Sequence, residues 1–355
     1  MTAKQLVLET RSSLEEALQR GGVWQDWPGG RLDPAPAPFW GELVTERMLI
    51  PHRDRLPYMP VSLACIPGAL VVDRAFMADG AGELFLSSEQ FPAYLNNWVE
   101  KGERPSPYRP LSELREISLP GVSALVHHCH SDIYGHWLVE GLPKLLYLRT
   151  LPVKPARFIV EKGTLPHIPN WIAHVAPDVE IVNYDPETEY VRCEMLISPT
   201  MACSPRYVIN PKLGPLLDEI APSRPANRLL YLDRVRQGAY HWVINKDELR
   251  ETAQSFGFEV YYPLRQPVQE QIDVFASARI LAADYGSALH NSMFSPPETR
   301  VLAFNWVTQI QSRICQLRGQ RFGFQLGDTG QPVIEQGYRI DIDAAKRAFE
   351  AVLSL

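Results

Sequence analysis

"RILAADYGSALHNSMFSPPETRVLAFN", residues 279–305, decides the architecture: it reads as a strand, a short helix opening at Ser287, a proline-marked loop and a second strand. The same alternation runs outward on the N-terminal side. "VQEQIDVFASA" (268–278) reads as a helix, "FEVYYPL" (258–264) as a strand, "NKDELRETAQSF" (245–256) as a helix and "RLLYLDR" (228–234) as a strand. Asn245 and Glu248 have the spacing of an N-cap box, and Gly257 falls where a helix stops. Strands joined by helices of this length imply right-handed crossovers and a parallel sheet, in which ligands bind beyond the carboxyl ends.

Those ends carry chemistry. Asp233, Arg234 and Arg236 follow the first strand, Tyr285, Gly286 and Ser287 the third, Asn305 and Trp306 the fourth. Two arginines beside a helix N-terminus describe a diphosphate site, while small residues there also serve close helix packing, so both readings stand. His290 and Asn291, one turn into the short helix, either reach phosphates or cap neighbouring loops. No strand is followed by G-x-G-x-x-G or by a P-loop, which disfavours a nicotinamide cofactor and a P-loop nucleotide site.

Upstream, five prolines crowd "SPRYVINPKLGPLLDEIAPSRPANR" (204–228), and a domain boundary is expected at about residue 220. Residues 1–220 then form an N-terminal domain whose first 120 residues are a broken, β-rich extension with one short helix in "LVLETRSSLEEALQR". Residues 221–335 form the second domain, and 336–355 a last helix packing back on the first. Within the first domain "SDIYGHWLVEGLPKLLYL" (131–148) reads as an amphipathic helix, with His136, Glu140, Lys144 and Tyr147 opposite its leucines. Such a stripe is either solvated or faces a ligand.

The balance of 35 basic against 41 acidic residues argues against a broad nucleic-acid surface. The charged first twenty residues hold no signal core, and no apolar run is long enough to cross a bilayer, which suggests a cytoplasmic protein touching membrane at most peripherally. Five scattered cysteines suit reduced thiols. "HHCH" (127–130) has no further ligand at recognisable spacing, and Asp341 and Asp343 sit where they cap the last helix, so no metal is expected.

"YGHWLVEGLPKL" resembles the H-W-x-x-E-x-L-P signature of glycosyltransferase family 61, in its bacterial capsular and surface-polysaccharide members. Residues 228–305 resemble the same family through "LYLDR", "NKDEL", "GF", "EQ", "DYGSALHN", "F" and "PP", in order; the first 120 residues lie outside the likeness. The resemblance implies a GT-B-like α/β fold of two facing Rossmann-like domains with parallel sheets. It implies an inverting, metal-independent transfer, with no cofactor, from a UDP-linked nucleotide sugar to a glycan or lipid-linked glycan acceptor. Glu140 would be the general base and His136 would orient the acceptor, with the reverse open. Arg234, Arg236 and the N–H groups of Gly286 and Ser287 would hold the diphosphate. Glu270 and Gln271, the family's E-Q, would meet ribose or sugar, although a helix-surface pair is equally ordinary. Two positions depart from the family: Tyr285 replaces a histidine, and Asp233 adds an acid beside the diphosphate. They motivate a catalytically weak nucleotide-sugar-binding subunit as an alternative, with a nucleotide-sugar epimerase as a third reading.

Overall fold

The computed structural model describes residues 8–73, 76–78, 80, 110–127, 131, 133–203, 207–233, 243–305, 309–327 and 338–355. Arg234, Arg236, Trp306, His128 to His130 and the strand expected at 82–88 lie outside them. The chain divides into two compact units, Met1–Gly30 with Tyr58–Pro205, and Arg31–Pro57 with Arg206–Leu355.

The first unit begins with α1 (Leu14–Arg20), shorter than the expected helix because Ser13 caps it, its hydroxyl accepting from the Glu16 N–H at 3.1 Å. Then follow β1 (Gly22–Trp27), β2 (Val61–Pro67), β3 (Leu70–Val72), β4 (Phe76–Ala78), β5 (Arg115–Ala124), β6 (Arg157–Glu161), β7 (Glu180–Tyr184) and β8 (Glu189–Pro199). They form one sheet in the order β1-β2-β8-β5-β6-β7, with β3 pairing β8 and β4. The strands β8, β5, β6 and β7 run parallel, whereas β1 and β2 are antiparallel additions. The sheet is therefore mixed, and this corrects the parallel sheet expected here. The cause is β2, buried on both faces except at Pro67, which must lie between two partners and so draws the proline-rich N-terminal region into the central sheet. A helical segment at 134–150 connects β5 to β6, and α4 (His167–Val175) connects β6 to β7.

The second unit holds β9 (Arg228–Leu232), β10 (Glu259–Tyr261), β11 (Ala278–Asp284), β12 (Arg300–Asn305) and β13 (Arg321–Leu326). All pairs are parallel, in the order β10-β9-β11-β12-β13. The sequence reading supplied four of these strands. Its helices are α5 (Leu213–Ile220), α6 (Lys246–Ser255), α7 (Val268–Ala276), α8 (Gln309–Arg318) and α9 (Ile342–Ser354). Gly257 ends α6 with φ of 84°: its N–H reaches Gln254 O at 2.9 Å and the Phe258 N–H reaches Ala253 O at 3.1 Å. Asn245 makes no side-chain cap to this helix; its amide instead brackets Ile340, donating to the carbonyl at 2.8 Å and accepting from the N–H at 2.9 Å.

Two domain expectations change. Residues 31–57 belong to the second unit, because the edge strand β13 needs cover: the Phe39 N–H reaches Phe322 O at 2.9 Å, and the Phe324 N–H reaches Trp40 O at 3.2 Å. Helix α2 (Glu46–Arg53) of this segment packs on α8. The last helix also stays with the second unit. Its Phe349 meets Phe256, Phe258 and Phe304 at ring distances of 5.5, 5.0 and 5.2 Å. Asp341 caps it, accepting from the Asp343 and Ala344 N–H groups at 2.9 and 3.0 Å.

Candidate functional site

In the first unit the functional candidates sit on the 134–150 segment, which is not one regular α-helix. A short α-turn (Tyr134–His136) leads into a π-helical stretch (Trp137–Gly141) and then α3 (Leu142–Thr150). Pro143 supplies the cause: its ring would clash with the carbonyl four residues back, and the upstream turn widens so that the Leu142 N–H bonds Trp137 O. Gly141 is required by close approach, since a Cβ there would lie 2.3 Å from the Trp137 ring.

Across this widened turn His136 Nδ1 lies 3.0 Å from Glu140 Oε2. Glu140, Lys144 and Tyr147 are 4%, 7% and 0% exposed, which rules out a solvated stripe. Only His136, with a quarter of its side chain exposed, reaches the surface of the group. Burial pushes the Lys144 ammonium down to about 8, against the opposing pull of the Glu140 carboxylate. Burial and that same carboxylate hold the Cys203 thiol well above its ordinary range, so it is not a nucleophile. Beside the pair, His167 on α4 meets the Ser131 carbonyl at 2.9 Å and Tyr134 edge-on at 5.4 Å. The arrangement is a buried carboxylate, a partly exposed imidazole hydrogen-bonded to it and a cation one turn on, a set able to accept and hold a proton.

In the second unit the strand order is that of a 2-1-3-4-5 sheet, whose topological switch point lies between β9 and β11. Asp233 follows β9 there, and Tyr285, Gly286 and Ser287 follow β11. Asp233 is 2% exposed and pairs with Lys246 and, at 3.3 Å, with Arg250. Tyr285 Oη stands 3.5 Å from His290 Nε2, both buried. The short helix from Ser287 is a 3₁₀-helix (Ser287–Phe294). Asn291 donates to Ala288 O at 2.9 Å within it, and Gln311 and Gln320 fix it through Ser292, at 2.9 Å to the hydroxyl and 2.7 Å to the carbonyl. The two E-Q residues part company. Gln271 is buried and donates to Gln266 O at 2.9 Å at the head of α7, whereas Glu270 is exposed. The sheet thus brings Tyr285, Gly286, Ser287, His290 and Asn291 together.

The family model described as Glycosyltransferase 61 matches residues 134–302, from the first turn of the His136–Glu140 segment into β12. Over that span the sequence is that of glycosyltransferase family 61. No curated protein matches it. Both candidate groups fall inside the span matched by the glycosyltransferase model. One residue pair escaped the sequence reading, Lys246 and Arg250. Their spacing of four on the polar face of "NKDELR", directly after the Asp233 strand, was the available signal. Among the described residues, no three His, Cys, Asp or Glu side chains are grouped so as to hold a metal ion, and no helix is long and apolar enough to cross a membrane.

Proposed function

We propose that this family 61 glycosyltransferase inverts the anomeric centre as it moves a sugar from a UDP-linked donor to a glycan or lipid-linked glycan, in surface-polysaccharide synthesis and without a divalent metal. The observation that carries this reading is the buried Glu140 carboxylate bonded to His136, inside the family match. In the reaction the acceptor oxygen attacks the anomeric carbon, the bond from that carbon to the diphosphate oxygen breaks on the opposite face, and the acceptor proton passes to Glu140. His136, the more exposed partner, orients the acceptor hydroxyl.

The donor binds at the carboxyl edge of the second sheet, where the N–H groups of Gly286 and Ser287, with Arg234 and Arg236, stabilise the charge of the departing diphosphate. Tyr285 offers a hydroxyl where the family offers a histidine. The acid at 233 does not oppose this design, because Lys246 and Arg250 neutralise it. That pairing weakens one of the two motives for a catalytically weak binding subunit, the acid at 233, and leaves Tyr285 as the other.

The test is Glu140→Gln, which preserves shape and cannot take a proton. Turnover should fall by about 10² to 10⁴ while calorimetric affinity for the donor holds. Full transferase activity in a folded Glu140→Gln variant would falsify the assignment.

A further inference from the structure

Asn305 closes β12 at the carboxyl edge of the second sheet and is 1% exposed. Its φ is 81°, in the left-handed region that L-residues seldom adopt, although asparagine tolerates it better than most. Its carboxamide is fully buried, yet among the described residues neither Nδ2 nor Oδ1 has a hydrogen-bond partner. A buried amide left unmatched at both ends opposes folding, and an unusual backbone conformation at the same residue adds to the cost. The coincidence of the two, at the edge where this sheet type takes ligands, marks a residue shaped for something other than stability.

Its position narrows the ligand. The neighbouring strand β11 ends in register with β12, Asp284 opposite Phe304, and the Tyr285 N–H bonds Phe304 O at 2.9 Å. Asn305 therefore stands one strand out from Tyr285 and Gly286, about 5 Å to the side of the proposed diphosphate position. A phosphate would satisfy Nδ2 and leave Oδ1 facing an anion. A planar group with an adjacent donor and acceptor satisfies both atoms at once, and a nucleobase edge is such a group.

We infer that Asn305 is a base-reading residue of the donor site, its carboxamide forming a paired donor–acceptor contact with the nucleobase of a nucleoside diphosphate. This rests on the second unit being the donor-binding side.

Asn305→Gly and Asn305→Asp separate the possibilities. Glycine accepts the backbone conformation and removes the unmatched amide, so the ligand-free variant should melt no lower than the natural chain. Aspartate keeps an acceptor and loses the donor. Calorimetry with UDP and with inorganic pyrophosphate, which has no base, supplies the readout. Both variants should bind UDP about 10- to 100-fold more weakly, with Asn305→Gly holding pyrophosphate as tightly as the natural chain. Equal UDP affinity in folded Asn305→Gly overturns the inference alone. An equal loss for pyrophosphate also overturns it, assigning Asn305 to phosphate instead. Failure of the natural chain to bind any of UDP, GDP, ADP, CDP or TDP sinks the donor-side reading and the inference with it.

Discussion

Lys144→Met should make the protein more stable at neutral pH. Lys144 is 7% exposed, and its ammonium is depressed from the ordinary 10.5 to about 8, chiefly by burial. The gap between those values corresponds to roughly 3 kcal/mol of unfavourable interaction carried by the charged form. The sign follows from proton linkage. Below pH 8 the folded and unfolded chains both hold the proton, and the fold bears the full cost. Between pH 8 and 10.5 the unfolded chain keeps a proton that the folded chain has lost, so stability rises with pH. Above 10.5 the penalty is gone.

Methionine follows the same path through the core with no charge to desolvate. The variant should therefore gain up to about 3 kcal/mol at pH 6 to 7, several degrees in melting temperature, and the gain should shrink across pH 8 to 10.5. Urea unfolding followed by tryptophan fluorescence at intervals from pH 6 to 11 measures it. A variant less stable than the natural chain at pH 7, or a difference constant with pH, would refute the account of Lys144 as a buried charge held at a cost. The same substitution strips Glu140 of its neighbouring cation, so the acid limb of the turnover profile should move to higher pH, as expected if the cation serves the proposed base.

Chelation should leave turnover intact, since the proposed donor site uses side-chain cations and backbone N–H groups; abolition by EDTA with recovery on adding manganese or magnesium would overturn the metal-free reading. Arg313→Met should raise the unfolding free energy by roughly 1 kcal/mol or more, read as a higher urea midpoint, because Arg313 is 1% exposed and, among the described residues, its Nε and Nη2 have no partner. Burial already lowers its pKa, and among the described residues only Nη1 is matched, by Gln316 Oε1 at 2.5 Å; a lower midpoint in the variant would show the guanidinium to be structural.

What the sequence disclosed, and what it withheld, divides by range. The strands β9 to β12 were legible because each is a short apolar run bounded by glycine, proline or a helix signal, and buried parallel strands leave that local trace. The fifth strand, "RFGFQL", was not: Arg321 and Gly323 interrupt its apolar pattern, and Gly323 is explained only by Phe39, whose ring would lie 2.6 Å from a Cβ there. The transfer of residues 31–57 to the second unit is the same fact seen from the other side. A contact across almost 300 positions leaves no periodic signal in either segment.

The two site groups show the limit more sharply. On the 134–150 segment the sequence placed His136 and Glu140 together correctly, yet a spacing of 100° per residue assumes a regular helix, and Pro143 prevents one. The clue lay in the sequence as a proline inside a helical pattern, but the response, a π-helical turn instead of a break, depends on Trp137 packing over Gly141. Asp233 is the stronger case. Read along the chain it is an acid beside a proposed diphosphate site, an argument against binding. In the fold, Lys246 and Arg250 of α6 both pair with it, and Arg250 also pairs with Asp247 at 2.8 Å, so the four side chains together carry no net charge. A charge cannot be assigned an effect from its neighbours in sequence, because the neighbours that decide its field come from the next helix, and here they cancel the charge on which the objection rested.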